Sequence, residues 1–245
     1  MPPRAGLAEE AGTVGVVIKI YILHGWTYST GKWRPLIDVL KHAGFEPVML
    51  NVPGLTAESD EIWDVPKYVA WLHKATAKES RPFVLMGHSN GGRISLAYAA
   101  KYPERLQHLI LIDSAGIHHN EPLLQVKRMV LGRIAKAGKK LTSSAKLRAA
   151  LYKIARAQDY HQAPPNMRAT MINLHEADKQ LLVETVTTPT TIIWGRDDKV
   201  TPLGDGKILA RRMPDARLKV VEGGRHTPVY THPEEVGSII VEALK

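Results

Sequence analysis

The residue best placed for covalent chemistry is a serine at the centre of a glycine-rich pentapeptide. Residues 87–91 read Gly-His-Ser-Asn-Gly, with Ser89 in the middle. The run before them is apolar and the run after them has helical composition, which predicts a strand-to-helix turn. Such a turn lifts the hydroxyl above the sheet edge and places it at a helix N-terminus, where backbone N–H groups favour negative charge. We therefore predict that Ser89 is a nucleophile; the alternative is a glycine-rich helix start without chemistry.

A serine hydroxyl needs a base that removes its proton, and histidine titrates in the right range. The chain contains 11 histidines. His226 stands apart because it follows the last apolar strand run through a glycine-containing loop. That loop opens at the carboxyl edge of the sheet, where open α/β sheets bind their ligands. The sequence therefore predicts His226 as the general base.

The acid that orients the histidine should follow the strand before it. The loop after that strand carries two adjacent carboxylates, Asp197 and Asp198. Either one gives the chain order serine, aspartate, histidine, so the residues alone leave the choice open. A turn-capping role for both is the alternative.

With these motifs the sequence resembles the α/β-hydrolase superfamily, particularly its small carboxylesterases, carbon–carbon bond hydrolases and cofactor-free perhydrolases. The matching motifs extend over almost the whole chain from Val16 onward. They are the segments 24–26 (His-Gly-Trp), 87–92, 194–198 (Trp-Gly-Arg-Asp-Asp) and 224–226 (Gly-Arg-His), together with Pro202.

The resemblance implies roles for particular residues. In relatives with the Trp-Gly-Arg-Asp-Asp segment the second aspartate is the triad acid, which implies Asp198 here, with Asp197 as a turn residue. The His-Gly-Trp segment looks like the oxyanion loop of the family, which implies the backbone N–H groups of Trp26 and Asn90 as the two donors and a structural role for His24. An ordinary strand end with a hydrated loop is the alternative for this segment.

Six short apolar runs supply the elements that must position these residues, and helical patterns lie between most of them. Strands that alternate with helices predict a parallel sheet covered on both faces. The runs are residues 16–23, 47–51, 82–86, 106–113, 190–194 and 217–221.

Two departures from this alternation define the expected domain organisation. Only 15 residues precede the first strand run, and relatives usually place two antiparallel strands there. We therefore expect an α/β-hydrolase fold with a doubly wound, mostly parallel sheet trimmed to about six strands. Residues 1–14 lack periodicity and are predicted to be a flexible leader. The predicted core comprises residues 15–116 and 188–245. Residues 117–187 contain no convincing strand and show helical spacing, and the resemblance implies a helical cap, or lid, inserted after the sixth strand of the family.

Charge is concentrated in the predicted cap. Between Glu121 and Thr187 there are 12 Lys and Arg against 5 Asp and Glu, a balance of +7 within a chain of net charge +9. These charges form either the solvated face of amphipathic helices or a surface that attracts anionic substrates or a membrane surface.

A cysteine count of zero excludes disulfides, thiolate metal sites and cysteine nucleophiles. No apolar run is long enough for a membrane span, so a cytoplasmic protein is predicted.

These observations together predict a serine hydrolase that cleaves carboxylic esters by a Ser-His-Asp triad and an acyl-enzyme. Carbon–carbon bond, thioester and peracid chemistry with the same triad stay open, as does a non-catalytic receptor that retains the fold. We expect a small-molecule ester or acyl substrate, no cofactor, no metal and no nucleic-acid partner. The pair His118-His119 does not change the metal prediction, because no carboxylate lies at ligand spacing. The sequence leaves the oligomeric state open.

Overall fold

The computed structural model describes residues 17–118 and 163–245. The predicted leader and most of the predicted cap lie outside the described residues. Within them, six strands form one sheet in the order β2-β1-β3-β4-β5-β6, and every pair of neighbouring strands is parallel. The strands are β1 (Lys19–Leu23), β2 (Glu46–Met49), β3 (Phe83–His88), β4 (Leu106–Ile112), β5 (Thr190–Gly195) and β6 (Ala216–Val221).

Burial along the strands follows their position in the sheet. Every residue of the central strands β3 and β5 is buried, as expected for parallel strands covered by helices on both faces. The edge strands β2 and β6 are only partly buried along most of their length. The strand register aligns Leu23 with Gly87 and His88 with Ile112, so the carboxyl ends of β1, β3 and β4 meet at one edge.

Helices cover both faces of the sheet and form two separate apolar cores. Helices α2, α3, α4 and α5 contribute buried side chains to the core on one face. Helices α1, α6 and α7 contribute to the core on the other face. Their bounds are α1 (Arg34–His42), α2 (Val65–Ala75), α3 (Asn90–Lys101), α4 (Pro165–Ala177), α5 (Leu203–Arg212), α6 (Pro228–Thr231) and α7 (Pro233–Leu244).

The predicted fold class is confirmed: helices flank a six-stranded parallel sheet, and its topology is that of an α/β-hydrolase core. Helix α4 belongs to the segment predicted as the cap, and it lies against the start of α2. The backbone N–H of Trp63 donates to Thr170 Oγ1 at 2.8 Å, and Asn173 Nδ2 donates to the Trp63 carbonyl at 3.1 Å. In the described part of the chain no helix is long and apolar enough to cross a bilayer.

Candidate active site

Ser89 sits at the turn between β3 and α3 in a conformation that few side chains adopt. Its φ of 53° and ψ of −117° place it in the left-handed half of backbone space, where non-glycine residues are strained. The turn is held because the Ser89 N–H donates to the Ile112 carbonyl and the Ser89 carbonyl accepts from the N–H of Ala115. Helix α3 also approaches β1 closely: a Cβ on Gly91 would lie 2.2 Å from the carbonyl oxygen of Leu23. The strain at Ser89 is therefore imposed by tightly packed surroundings.

His226 connects Ser89 to Asp198 through both ring nitrogens. Its Nε2 lies 2.9 Å from Ser89 Oγ, and its Nδ1 lies 2.8 Å from Asp198 Oδ2. The Asp198 side chain is fully buried, while 22% of the His226 side chain is exposed. The three predicted side chains thus form one continuous hydrogen-bonded chain that ends at the hydroxyl.

Hydrogen bonds keep the Asp198 carboxylate charged inside the protein. Burial alone would raise the pKa of Asp198, but hydrogen bonds from His226, the Thr201 hydroxyl and the Val200 N–H outweigh it and lower the pKa below its usual value. Its Oδ1 accepts from the N–H groups of Val200 and Thr201 at 2.6 and 3.2 Å. Its Oδ2 accepts from the Thr201 hydroxyl at 2.7 Å. The carboxylate is therefore ionised and fixed in orientation.

Asp197 occupies a different environment from its neighbour. Its side chain is exposed, and its backbone N–H donates to the Gly224 carbonyl at 2.8 Å. The structure therefore brings Asp198, and not Asp197, to the imidazole. Asp197 holds the 195–198 turn against the loop that carries His226.

The backbone of His226 is anchored by a second histidine, His88. The Nε2–H of His88 donates to the His226 carbonyl at 2.7 Å. His88 is buried, and burial, followed by the nearness of His226, lowers its pKa to about 3, so it is a neutral donor. Trp33 and Tyr230 surround it, with ring centroids 5.9 and 6.5 Å from that of His88. These contacts fix the loop from which the His226 imidazole projects.

The His-Gly-Trp segment lies directly against the nucleophile. A Cβ on Gly25 would lie 3.0 Å from Ser89 Cβ, which is tighter than most real Cβ contacts and favours glycine at this approach. His24 is buried; its Nδ1 lies 2.7 Å from the Gly25 carbonyl oxygen and its Nε2 2.8 Å from Thr56 Oγ1. Asn90 is the first residue of α3, where a backbone N–H has no acceptor within the helix. Trp26 and Asn90 are thus each one residue from this contact, and their role as oxyanion donors stays a prediction.

Comparisons with known proteins identify the family of the chain. Residues 16–231 match the Hydrolase_4 family, described as serine aminopeptidase, S33. The chain belongs to this family. It is a family of serine hydrolases.

Among curated relatives of this S33-family hydrolase is the pimeloyl-[acyl-carrier protein] methyl ester esterase of Aromatoleum aromaticum, which is 23% identical over 92% of this chain and 98% of the relative. Another is the 2-hydroxy-6-oxo-6-phenylhexa-2,4-dienoate hydrolase of Comamonas testosteroni, 24% identical over 97% of this chain and 90% of the relative. The structure of MenH from S. aureus superposes with a TM-score of 0.70 at 20% identity and covers 93% of each chain. At this identity the structural likeness shows the fold alone.

Three residues at the site were not found by sequence reasoning. Thr201 contacts Asp198 and His226 through its hydroxyl, and Asp113 contacts the acid loop from the end of β4. Arg93, one turn into α3, donates to Asn90 Oδ1 at 2.6 Å and forms a buried bidentate ion pair with Asp178, the residue after α4. A polar residue at the end of a strand run was the available signal for Asp113. Nothing in the sequence pairs residues 93 and 178.

His88, Asp113 and His226 form the one group of three potential metal ligands within residues 17–118 and 163–245. Both ring nitrogens of His226 already contact Ser89 and Asp198, and Nε2 of His88 is engaged by a carbonyl. His88 Nδ1 and one Asp113 oxygen are left, which is too few for the three or four ligands of a protein zinc site. The group does not fit a metal centre.

Proposed function

We propose that this hydrolase cleaves carboxylic esters by acyl transfer through Ser89, His226 and Asp198. The observation that carries the proposal is the unbroken hydrogen-bonded chain from Ser89 Oγ through the imidazole to the buried carboxylate. Asp198 accepts a hydrogen bond from the Nδ1–H group of His226. The lone pair of Nε2 is therefore directed at the Ser89 hydroxyl. This is the tautomer that general-base catalysis requires.

The proposed reaction has two steps. In the first, Ser89 Oγ attacks the ester carbonyl carbon while His226 Nε2 accepts its proton, and the carbonyl oxygen takes the negative charge. The N–H groups of Trp26 and Asn90 stabilise that oxyanion, and loss of one such donor typically costs about 10²- to 10³-fold in turnover. The imidazolium then protonates the leaving alcohol, and the acyl group stays on Ser89. In the second, water replaces the hydroxyl and the same proton transfers release the acid.

Ester chemistry is favoured over the alternatives by the relatives and by the state of the site. The Aromatoleum relative is named as a methyl ester esterase and aligns along nearly its whole length. Carbon–carbon bond hydrolysis is a second candidate, because the Comamonas relative, a hydrolase of an oxo-dienoate, aligns over 97% of this chain. A non-catalytic receptor is disfavoured because such a role does not require a complete and well-oriented triad.

The predicted cap is also part of the proposal. The described part of residues 117–187 includes α4, whose C-terminal neighbour Asp178 binds Arg93 beneath the start of α3. This contact ties α4, the described helix of the predicted cap, to the nucleophile helix and supports the proposal that the segment belongs to a cap. The cap boundaries and a cytoplasmic location stay predictions.

Labelling with a fluorophosphonate probe tests the nucleophile directly. We expect the wild-type protein and Ser95→Ala to be labelled and Ser89→Ala to be unlabelled. Ser95 is a matched control, since it is a buried serine on the same helix whose hydroxyl only donates to the Gly91 carbonyl. A folded wild-type protein that resists the probe would contradict the proposal and favour the receptor alternative.

Turnover then separates the chemistries. The protein is assayed against p-nitrophenyl esters of increasing acyl length and, in parallel, against a vinylogous diketone that only a carbon–carbon hydrolase cleaves. Hydrolysis of the esters alone is the expected result. Preferential cleavage of the diketone would instead favour carbon–carbon bond hydrolysis, the second candidate function.

A further inference from the structure

Asp113 is a buried carboxyl group that the proposed mechanism does not use. It follows β4, the strand between the one that leads to Ser89 and the one that leads to Asp198. Its relative exposure is 0%, and its φ of 41° is left-handed, a conformation that aspartate and asparagine tolerate better than most residues. The residue therefore lies between the strand ends that carry the triad.

Asp113 holds the acid loop at both ends. Its Oδ1 accepts the N–H of Gly195, at the start of the loop, at 2.8 Å. Its backbone carbonyl oxygen lies 3.0 Å from the Thr201 hydroxyl oxygen, at the end of the loop, and shares the single hydroxyl proton with Asp198. The same Thr201 oxygen lies 2.7 Å from Asp198 Oδ2 and 3.2 Å from His226 Nδ1. Displacement of Asp113 would therefore move the groups that orient the imidazole.

Among the described residues, the other carboxyl oxygen of Asp113 is buried and has no hydrogen-bond partner. The titratable groups of residues 17–118 and 163–245 that face Asp113 are His88 from the end of β3, Asp198 from the loop after β5 and His226 from the loop after β6. One nitrogen of each histidine and one Asp113 oxygen lie within 4.8 Å of one another. His88 is neutral and Asp198 is ionised, so a charged Asp113 would add a second carboxylate, and none of these three groups is a lysine or arginine that could balance it.

We propose that Asp113 is a positioning residue that works in its protonated, neutral form and fixes Gly195 and Thr201 without adding negative charge beside the triad. The inference rests on the proposed function of Ser89, His226 and Asp198. Burial, and then the charge of Asp198, raise the pKa of Asp113 to about 8 against the opposing hydrogen bond from Gly195, in agreement with this proposal. Only above that pH does the site acquire a second carboxylate.

The protonation state is tested without turnover, by the dependence of folding stability on pH. The unfolded chain releases the Asp113 proton near the ordinary carboxyl pKa, about 4, whereas the folded chain keeps it up to about pH 8. Between these values the folded wild type holds one proton more than the unfolded chain, so its stability falls as pH rises. Asp113→Asn lacks this proton and escapes the decline. Its folding constant relative to wild type should rise about tenfold per pH unit across this window and level off above it.

Asp197→Asn is the matched control, because Asp197 is an exposed aspartate in the adjoining loop. Its folding constant relative to wild type should stay flat between pH 5 and 8, because its side chain stays in contact with water in the folded protein. A flat ratio for Asp113→Asn as well would show that Asp113 is charged in the folded protein and would overturn the proposal.

The positioning role is tested with a variant that removes the contact and one that restores it. Asp113→Gly permits the left-handed φ but leaves the Gly195 N–H unpaired, and a buried unpaired donor costs about 1–3 kcal/mol, which lowers the folding constant roughly 5- to 150-fold. Because the loop that carries Asp198 loses this anchor, we expect kcat to fall with KM unchanged, and the NMR titration of His226 to shift. Asp113→Asn keeps a neutral oxygen for Gly195 and should recover most of both losses.

The outcomes separate this inference from the proposed function. If Ser89 performs no chemistry, kcat is lost as a readout, but the His226 titration and the pH-dependent stability still report on Asp113. A His226 titration that is identical in wild type, Asp113→Gly and Asp113→Asn would refute positioning even if the esterase assay succeeds. If Asp113→Gly does not fold, an imidazole chemical shift of His226 at pH 9 that is identical in wild type and Asp113→Asn, although only wild type carries the extra charge there, refutes the inference.

Discussion

Replacement of Asp198 by asparagine should inactivate the site through the tautomer of His226 and not through loss of the fold. In the native site, Oδ1 of Asp198 accepts the N–H groups of Val200 and Thr201, while Oδ2 faces His226 Nδ1. In Asp198→Asn, the amide oxygen must take the Oδ1 position to keep those two donors. The amide NH₂ then faces His226 Nδ1, which must act as an acceptor. The imidazole proton moves to Nε2, where it points at Ser89 and blocks proton transfer.

The size of the effect follows from what the alternative amide orientation would cost. Rotation of the amide would leave the two part-buried N–H groups of Val200 and Thr201 facing donors, and each donor left unpaired costs up to about 1–3 kcal/mol. The wrong tautomer is therefore favoured by about 2–6 kcal/mol. We expect kcat to fall by about 10³- to 10⁴-fold with little change in KM, comparable to roughly 10⁴-fold for the same substitution in a serine protease triad.

The assay compares ester turnover of Asp198→Asn and Asp197→Asn, with ¹⁵N NMR of the imidazole to locate its proton. Asp197→Asn should stay within about twofold of wild type, because surface substitutions away from special contacts have small effects. The reasoning fails if Asp197→Asn loses more activity than Asp198→Asn, or if the imidazole proton stays on Nδ1 in an inactive Asp198→Asn protein.

Two further predictions concern packing around the nucleophile. Gly91→Ala should abolish ester hydrolysis and lower the yield of folded protein, because its Cβ would lie 2.2 Å from a carbonyl oxygen of β1. Gly204→Ala is the control, since a Cβ at this helical position has open space. It should stabilise the protein by up to about 1 kcal/mol in thermal unfolding. Arg93→Met should lower the unfolding free energy measured in urea by about 3–5 kcal/mol, since Asp178 would be left as a buried charge without its partner. Arg212→Met, which removes a half-exposed ion pair, should change it little; similar losses in both variants would show that burial of the Arg93 pair has no special weight.

Much of the fold could be read from the alternation of apolar and helical segments. The buried strands β3 and β5 coincide with the predicted strand runs 82–86 and 190–194, and the glycines at 87 and 91 mark the turn between β3 and α3. Ser89 and His226 could be found because a strand end precedes each of them. The choice of Asp198 over Asp197 needed a family resemblance, since the residues alone do not show which side chain turns inward.

The rest of the site depends on contacts between distant parts of the chain. Asp113 gains its surroundings from the order of β3, β4 and β5 in the sheet, which places it between the loops that hold the triad. Arg93 meets Asp178 across 85 positions, and His88 meets the His226 carbonyl across 138. The periodicity of apolar residues in a sequence indicates which face of a helix or strand is apolar. It does not indicate which residues of two different elements come into contact. These pairs therefore could not be predicted from one sequence.

The two helical layers on the sheet give the reaction centre an unusual sensitivity. Ser89 begins a helix of one layer, whereas the chain after His226 runs into α6 and α7 of the opposite layer. The hydroxyl and the imidazole can meet only while both layers are seated on the strands between them. Partial detachment of either layer would separate the proton donor from its acceptor before much backbone structure melts. We therefore expect ester turnover to fall before the circular dichroism signal does when either helical layer begins to detach, because circular dichroism averages over all the helices.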